Sequence, residues 1–294
     1  MTGVLWAASA GLGFGLFQAV NARAVRRLGD PFYATFVQLV VAAVVLVAIC
    51  AASGDLSLVD ELDAWATVSF TLAGALHFLL GWTFLNISQQ RIGAARSSPL
   101  LATVPLWGIA IAALVRGELP GSGAIAGIVL MVAGALTVSS PAAMAGMRWT
   151  DSSFGLGTAF LWALSPIFTL EGLEEVDSPL LGVTVGVMFS ALSFGLLLVL
   201  WPRGREQLRN ASREGLALKM LCGLIVALAT WGRWAALDLA AVGVVLALNL
   251  LSVPTVLLLA PLFAHRESGE RASARVWLGA ALVVSGSLLL IALG

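Results

Sequence analysis

The chain has 294 residues, of which 60% are hydrophobic and only 11% are charged, and its formal net charge is zero. A soluble domain has roughly a quarter of its residues charged, so water cannot be the solvent for most of this chain. The zero net charge gives no indication of a nucleic-acid partner. The composition therefore predicts an integral membrane protein.

Polar breaks divide the sequence into ten apolar segments, each near the length of about 20 residues that spans a bilayer as a helix. In chain order the predicted spans are 2–21, 32–52, 64–86, 94–115, 121–140, 152–170, 179–201, 216–236, 241–264 and 274–293. The breaks are short, so none of them holds a soluble catalytic or signalling domain. The first segment lacks a basic region and a small-residue cleavage site, and it is predicted to be a span and not a removable signal peptide.

The two halves of the sequence resemble each other, with the boundary placed between 1–146 and 147–294. The fourth spans correspond, from Gly93 to Pro105 in the first half and from Gly243 to Pro254 in the second. Internal repetition of this kind is common in secondary transporters, whose substrate site lies near the midplane between the repeats. Five spans per repeat is an odd number, so the second copy is predicted to lie inverted relative to the first.

Further correspondences support the same division. Pro31 opens the second span as Pro179 opens the seventh. The fifth spans repeat their small residues, from Gly127 to Gly134 in one half and from Gly279 to Gly286 in the other. Small residues of this kind let membrane helices approach closely, so these stretches are predicted to be packing surfaces.

The stretch Gly93-Ala94-Ala95-Arg96-Ser97-Ser98-Pro99-Leu100 with Pro105, then Gly117-Glu118, and their second-half counterparts resemble the EamA family of the drug/metabolite transporter superfamily. The likeness extends over nearly the whole chain. It implies an all-α integral membrane protein of ten transmembrane helices in two inverted five-helix repeats. It also implies a permease or exporter of metabolites, amino acids or drugs, and not an enzyme.

The basic residues predict an orientation. Of the 16 Lys and Arg residues, only Arg116 and Arg233 lie on the side of the even-numbered loops. By the positive-inside rule, the loops after odd-numbered spans are predicted to be cytoplasmic, with both termini outside the cell (inner) membrane. The family resemblance implies the reverse, with the termini inside, so the sequence departs from the family pattern at this point.

The deepest ionisable residue is His77, near the middle of the third span. Steps of three and four place it on one stripe of small and polar residues, namely Thr67, Thr71, Gly74, His77, Gly81, Phe84 and Ser88. Such a stripe is predicted to face the bundle interior. Two interpretations stay open: His77 binds substrate or shuttles a proton, or it is a neutral side chain that hydrogen-bonds a neighbouring helix.

The sixth span carries a second polar stripe, consisting of Thr158, Trp162, Ser165 and Thr169. Pro166 beside it removes a helical hydrogen bond, which can expose backbone carbonyls to a cavity. Trp162 lies too deep for an interfacial aromatic belt, and a cavity-lining role and a packing role are both open.

Further candidates for a cavity lining occur as pairs on one helix face. These are Gln18 and Asn21 in span 1, Thr103 and Trp107 in span 4, and Asn249 and Ser252 in span 9. Hydrogen bonding between helices is the alternative role for each pair. Arg233, between Trp231 and Trp234, has two interpretations. It binds an anionic group, or, as the pattern favours, it snorkels within an aromatic belt and pairs with Asp238.

Together these features predict a transporter that moves a small metabolite, such as an amino acid or a drug-like solute, by alternating access through a central cavity. A translocator of lipids or lipid-linked headgroups is the alternative. An intramembrane enzyme would need a cluster of reactive groups, whereas the sequence predicts one deep His and no deep Asp, Glu or Lys. No metal-ligand spacing occurs and no cofactor is predicted. Cys50 and Cys222 are predicted to be buried thiols. The predicted partners of the protein are a small-molecule substrate and the lipid bilayer.

Overall fold

A computed structural model describes residues 2–92, 97, 100–117, 121–138, 149–200, 212–263 and 274–293. The described elements are all helical. Six of the helices are long and apolar enough to cross a membrane, and four shorter apolar helices accompany them at 104–116, 125–137, 242–256 and 277–286. The all-helical fold predicted from composition is confirmed, and the number of helices that cross the bilayer stays a prediction.

In chain order the helices are α1 (Thr2–Leu28), α2 (Pro31–Ser53), α3 (Ala64–Ile92), α4 (Val104–Arg116), α5 (Ser122–Val138), α6 (Trp149–Glu175), α7 (Pro179–Leu200), α8 (Arg213–Leu239), α9 (Val242–Leu248), α10 (Ser252–Phe263) and α11 (Ala274–Leu293). Short 3-10 helices precede α3 at Asp55–Glu61 and connect α9 to α10 at Asn249–Leu251. The predicted boundary between the halves, at 146 and 147, lies outside the described residues.

Several helices are longer than the apolar runs that predicted them. Helix α1 continues past residue 21 to Leu28, and α8 begins at Arg213 instead of residue 216. Polar residues can continue a helix beyond the hydrocarbon core because the headgroup region and water solvate them. The ninth predicted span, 241–264, is not one regular α-helix, since the 3-10 turn at Asn249–Leu251 interrupts it.

Two helices begin with the same local chemistry in the two halves. The Oδ1 atom of Asp30 accepts a hydrogen bond from the amide of Tyr33 at 2.7 Å, and Pro31 opens α2. The Oγ atom of Ser178 accepts one from the amide of Leu181 at 3.0 Å, just before α7 begins at Pro179. Both capping residues satisfy an amide that the first helical turn leaves without a partner.

The packing partners correspond when the two halves are exchanged. Helix α1 packs along α8, and α6 packs along α3. Helix α2 contacts α8 as α7 contacts α3, and α1 contacts α10 as α6 contacts α4. The pairs α2 with α7 and α5 with α11 each join equivalent positions of the two halves.

The α5–α11 contact has reciprocal glycines. A Cβ added at Gly134 would lie 2.6 Å from the carbonyl oxygen of Gly279, and one added at Gly286 would lie 2.6 Å from that of Gly127. Side chains at these positions would therefore push the two backbones apart. The four glycines that repeat in the sequence thus meet each other in one antiparallel contact.

Helix α3 changes its winding at its centre. Residues Ala75–Gly81 form a π-helix between the regular segments Ala64–Gly74 and Trp82–Ile92. A π-helical turn leaves carbonyl groups outside the regular pattern and often marks a functional site. Gly74 packs directly on the backbone of Gly186 in α7, and Gly81 packs on the indole of Trp162 in α6. These contacts fix the π-helical segment against two neighbouring helices.

Candidate functional site

A small cavity lies at the centre of the bundle, between α1, α4, α6, α8 and the irregular α9–α10 junction. Its volume is about 40 Å³. The lining residues are Phe14, Gln18, Leu101, Ala102, Val104, Trp162, Arg233, Leu246, Asn249, Leu250, Ser252 and Val253. A water molecule occupies about 30 Å³ of liquid, whereas small-molecule sites measure roughly 300–1,000 Å³. The space in this central cavity is therefore far smaller than a metabolite.

A larger cavity, which we call the vestibule, lies further along the same helices. Its volume is about 430 Å³. The lining residues are Ile109, Ala112, Arg116, Leu170, Leu237, Asp238, Ala240, Ala241, Val242 and Gly243. Leu237 lies one helical turn beyond Arg233 on α8, and Val242 lies one turn before Leu246 on α9. The side chain of Leu246 fills the space that the missing Cβ of Gly108 leaves on α4. This packing lies between the vestibule and the central cavity.

Arg233 is held at the central cavity by a backbone carbonyl and a histidine. It is only 2% exposed. Its Nη2 atom donates a hydrogen bond to the carbonyl oxygen of Trp162 at 2.8 Å. Pro166 follows Trp162 by four residues and has no N–H, so the helical donor that this carbonyl would normally receive is absent. The sequence predicted that Pro166 would expose a backbone carbonyl. That carbonyl, of Trp162, accepts the hydrogen bond from Arg233.

His77 accepts a hydrogen bond from the same guanidinium. The Nη1 atom of Arg233 lies 3.0 Å from Nδ1 and 3.2 Å from Nε2 of His77. Arginine has no acceptor, so the imidazole must accept and is neutral in this arrangement. The Oγ atom of Ser165 lies 3.2 Å from Nδ1. His77 therefore adds no negative charge to balance the arginine.

Trp162 completes the cluster. Its ring stacks on the His77 imidazole, with centroids 5.2 Å apart and an angle of 17° between the planes. Its Nε1 atom donates to the backbone oxygen of His77 at 3.2 Å, inside the π-helical segment. Both irregular stretches, the π-helix of α3 and the proline in α6, thus supply carbonyls that the cluster uses.

Two polar atoms of the cavity lining have no partner among the described residues. These are Nε of Arg233 and the Oδ1 atom of Asn249. A buried group without a partner costs about 1–3 kcal/mol. Within the described part of the chain, no carboxylate pairs with Arg233. The cavity therefore offers a cationic donor and a separate acceptor to a ligand.

The structure corrects the interpretation of Arg233 as a snorkelling residue paired with Asp238. The guanidinium is buried, and Asp238 is an exposed residue that lines the vestibule. The pattern of flanking tryptophans suggested an interfacial belt. Trp234, however, is itself 2% exposed and packs on Phe70 with ring centroids 5.9 Å apart. The correction follows from the extra length of α8, which places Arg233 two turns before the helix end.

The other predicted residues divide into two groups. Gln18, Asn249 and Ser252 line the central cavity with Trp162 and Arg233. Three others do not line it. Thr169 and Thr103 donate to carbonyls of their own chain segments, those of Ser165 and Leu100. Trp107 is 44% exposed and meets Phe160 edge to face at the periphery. Hydroxyls of threonine often bond back to the preceding turn of a helix, which sequence spacing alone does not reveal.

Asn21 belongs to a second cluster, which contains the residue that sequence reasoning missed. Its Oδ1 atom accepts from Nζ of Lys219, and Asn86 Oδ1 accepts from the same ammonium at 3.2 Å. Lys219 is fully buried, so the expectation that the chain has no deep lysine is wrong. Lys219 was grouped with the basic residues of the loops and flanks because it lies only three residues inside the predicted start of the span at 216. The apolar residues Leu216 to Leu218 already precede it, and this signal places the ammonium inside the apolar run.

Residues 1–140 match the EamA-like transporter family. The match covers 140 of the 294 residues. This confirms the resemblance inferred from the glycine- and proline-containing stretches of the first half, and it is consistent with the drug/metabolite transporter superfamily. The family match and the apolar helices together make the protein a multi-pass membrane protein.

The solved structures give the fold over the whole length. The crystal structure of another protein superposes on this chain with a TM-score of 0.69 and 18% sequence identity, and the alignment covers 98% of this chain and 96% of the other. At this identity the likeness concerns the fold alone. No curated protein matches the sequence.

The candidate site combines both halves of the chain. Gln18 and His77 lie within the residues that match the family, whereas Trp162, Arg233 and Asn249 lie beyond residue 140. The two halves therefore meet at the central cavity, where each contributes polar groups.

Proposed function

We propose that this EamA-like protein transports a small zwitterionic metabolite of the amino-acid type. The substrate would bind in the central cavity, which becomes accessible from one side of the membrane and then from the other. The observation that carries the proposal is the Arg233 guanidinium, which is buried at this cavity with its Nε–H unpartnered and without a paired carboxylate in the described part of the chain.

A carboxylate is the ligand group that this guanidinium fits best. Arginine binds a carboxylate through two parallel N–H groups, and such charge-assisted hydrogen bonds are stronger than neutral ones. A buried charge within a membrane is costly unless a partner balances it. Trp162 and His77 hold the guanidinium from one side, which leaves the Nε–H to a ligand carboxylate.

The remainder of the lining suits the rest of an amino acid. Among the described residues, Asn249 Oδ1 is an acceptor without a partner, and an ammonium group is a donor. Gln18 lies in the same lining. Apolar side chains such as Leu101 and Val253 form the other walls, which favours a hydrophobic substrate side chain. The small volume of the cavity corresponds to an occluded state that must expand when substrate enters.

We propose ten membrane-crossing helices arranged as two inverted repeats, 1–146 and 147–294. The exchangeable packing partners and the reciprocal glycine contact of α5 with α11 support this arrangement. Inverted repeats of this type provide two related conformations that open to opposite sides. Because the vestibule lies at the end of α4 and α8 that is opposite to most basic residues, we place it at the outer face of the inner membrane, with both termini outside.

Efflux from reconstituted vesicles tests the proposal. Vesicles are loaded with an equimolar mixture of the proteinogenic amino acids, and the released compounds are identified by chromatography. We expect selective, saturable release that Arg233→Met lowers at least about 30-fold, because a buried charge pair typically contributes 2–5 kcal/mol. Arg116→Met is the matched control, since Arg116 lines the vestibule and pairs with Glu171 and Glu174.

Two outcomes would overturn the proposal. If wild-type vesicles release no amino acid faster than protein-free vesicles do, the substrate class is wrong. If release occurs but Arg233→Met and Arg116→Met behave alike, the anchor is not Arg233.

A further inference from the structure

Lys219 lies deep in the half of the bundle that is opposite to the vestibule. It is six residues from the start of α8, which is about 9 Å along the helix axis. Along the same helix it is about 21 Å from Arg233. Its side chain is fully buried. Arg233 and Lys219 are thus two buried cations on one helix, at the two ends of the bundle interior.

Amide side chains from two other helices surround the ammonium. Asn21 of α1 and Asn86 of α3 accept its hydrogen bonds. The Nδ2 atom of Asn21 donates to Asn86 Oδ1 at 2.9 Å and to Gln89 Oε1 at 2.8 Å. Asn86 in turn donates to Thr35 Oγ1 at 2.8 Å on α2. All of these side chains except that of Lys219 are uncharged.

No acidic side chain in the described residues balances this charge. The Glu214 carboxylate, at the start of α8, pairs instead with Arg23 and Arg27. The Cys222 thiol is the titratable group one turn away on α8, and it is buried. Tyr33 of α2 packs with Val25 and Leu28. Arg91 of α3 lies over the ring of Phe154. The ring of Phe17 lies 5.9 Å from Nζ of Lys219 and stabilises the ammonium, but it carries no net charge. No anionic group in the described residues therefore balances the cluster.

Gln89 of this cluster and Gln38 on the neighbouring α2 have buried amide atoms without a hydrogen-bond partner among the described residues. The Nε2 atom of Gln89 has none, and neither amide atom of Gln38 has one. Gln38 lies one turn from Thr35 on α2, and its backbone oxygen contacts Gly223, one turn from Lys219. Unsatisfied amide donors beside an unbalanced ammonium favour a negatively charged ligand over a purely structural role.

The equivalent position in the other half shows that packing does not require a lysine there. Gly74 on α3 packs on Gly186 of α7, as Gly223 on α8 packs on the backbone of Gln38 in α2. Four residues before these glycines lie Phe70 and Lys219, respectively. Phe70 is fully buried and forms part of the apolar core. At this equivalent helix contact, the first half therefore has the apolar Phe70 where the second half has the charged Lys219.

The second cluster continues from the central cavity along α1. Gln18 lines that cavity, and Asn21 follows it by three residues on the same helix face. Three residues, or about 4.5 Å along the helix axis, therefore separate the cavity lining from Asn21, which accepts a hydrogen bond from Lys219. A substrate that leaves the cavity toward the basic end of the bundle meets this cluster next.

We propose that Lys219, with Asn21, Asn86, Gln38 and Gln89, forms a second carboxylate-binding site at the inner end of the transport path. This inference rests on the proposed function and adds to it a second site that binds the substrate's carboxylate on its way to the inner face. In the observed state, the Asn21 and Asn86 amide oxygens occupy the positions around Nζ that carboxylate oxygens would take. Each amide can rotate to present its NH₂ group instead. The same side chains then donate to a bound carboxylate together with Lys219.

The test separates passage through the inner site from binding at the central cavity. Proteoliposomes containing the full chain are loaded with the proteinogenic amino acids or with their amino amides, which lack the carboxylate charge. We expect Lys219→Met to reduce amino-acid release at least about 30-fold and Lys219→Arg to retain most of it. Residual amino-amide release should be the same for the wild type and Lys219→Met. Binding of amino acids to the purified protein, measured by thermal stabilisation, should change by less than about twofold in Lys219→Met, since that binding requires Arg233.

A second variant keeps the test informative if Lys219→Met does not fold. Gln38→Met replaces an amide that has no hydrogen-bond partner in the described part of the chain, so a purely structural cluster predicts unchanged release and equal or higher thermal stability. The inner site predicts slower release without a loss of stability. The inner site would be overturned if release is unchanged in both Gln38→Met and Lys219→Met. It would also be overturned if both variants lose substrate binding and thermal stability equally. If the wild type releases no amino acid, the proposed function itself fails, which is a different result.

Discussion

The guanidinium of Arg233 donates to the backbone oxygen of Trp162, the carbonyl that Pro166 leaves without its helical partner. The Nη2–O distance is 2.8 Å. A proline in one helix thereby determines where the arginine of another helix is held. If alanine replaces Pro166, the restored N–H competes for the same oxygen.

Pro166→Ala should therefore weaken substrate binding while it stabilises α6. We expect amino-acid affinity to fall about fivefold, which corresponds to roughly 1 kcal/mol for one net hydrogen bond, and the melting temperature to rise because an interior proline is unfavourable in a helix. Thermal titration with amino acids measures both quantities. Pro179→Ala is the control, since proline at a first helical position removes no helical bond. An unchanged affinity in Pro166→Ala would contradict the role assigned to this carbonyl.

The acceptor role of His77 can be separated from proton transfer by two substitutions. His77→Phe removes the acceptor for Arg233 Nη1 and leaves a buried donor without a partner, which costs about 1–3 kcal/mol. His77→Gln keeps a neutral acceptor. We expect His77→Phe to lower amino-acid affinity roughly tenfold or more and His77→Gln to preserve most of it, as measured by equilibrium binding. If both variants lose transport equally while they still bind substrate, His77 acts by carrying a proton.

Packing of α3 on α7 depends on Gly74. Its Cα faces the backbone of Gly186, which cannot move aside as a side chain can. Gly74→Ala should destabilise the protein by about 1–3 kcal/mol and should lower the melting temperature in detergent. Gly195→Ala on α7 is the matched control, because its added methyl group meets only the ring of Phe36 at 3.4 Å. Equal melting temperatures for the two variants would show that the α3–α7 contact is looser than the structure indicates.

Leu246 lies between the vestibule and the central cavity, with its side chain in the notch at Gly108. Leu246→Ala should open a connection between the two spaces. The measurement is the rate at which a small water-soluble thiol reagent modifies Ser252→Cys, in a background where Cys50 and Cys222 are replaced by alanine. We expect the rate to rise by roughly an order of magnitude, since removal of a leucine side chain from packed surroundings leaves a cavity. The exposed Leu239→Ala should leave it unchanged, and an equal rate in Leu246→Ala would place the barrier elsewhere.

Part of the candidate site could be predicted from the sequence, because it depends on the chemistry of individual residues. His77, Trp162 and Ser165 were singled out because polar groups at membrane depth require partners, and Pro166 because it removes an N–H. The structure brings these residues together with Arg233. Whether they bind substrate stays a prediction.

The errors arose where the argument depended on boundaries. Arg233 and Lys219 were both placed near membrane surfaces because α8 was predicted as 216–236, whereas it extends over Arg213–Leu239. A boundary that moves by three residues changes the depth at which a side chain is placed by about 4.5 Å, which is enough to exchange the headgroup region for the bundle interior. Thr103, Trp107 and Thr169 were predicted from the helix faces on which they lie. The sequence does not identify which neighbouring helix covers such a face.

The sequence by itself determined the membrane class, the helical fold and the family likeness, because each depends on composition and local periodicity along the chain. The repeat of glycines in the fifth spans was also visible, since it is a property of the sequence. Only the tertiary structure decided that Arg233 meets His77 and Trp162, and that Lys219 lies among Asn21 and Asn86. These partners come from helices far apart in the chain, and a buried charge is identified by what surrounds it, which no single segment contains.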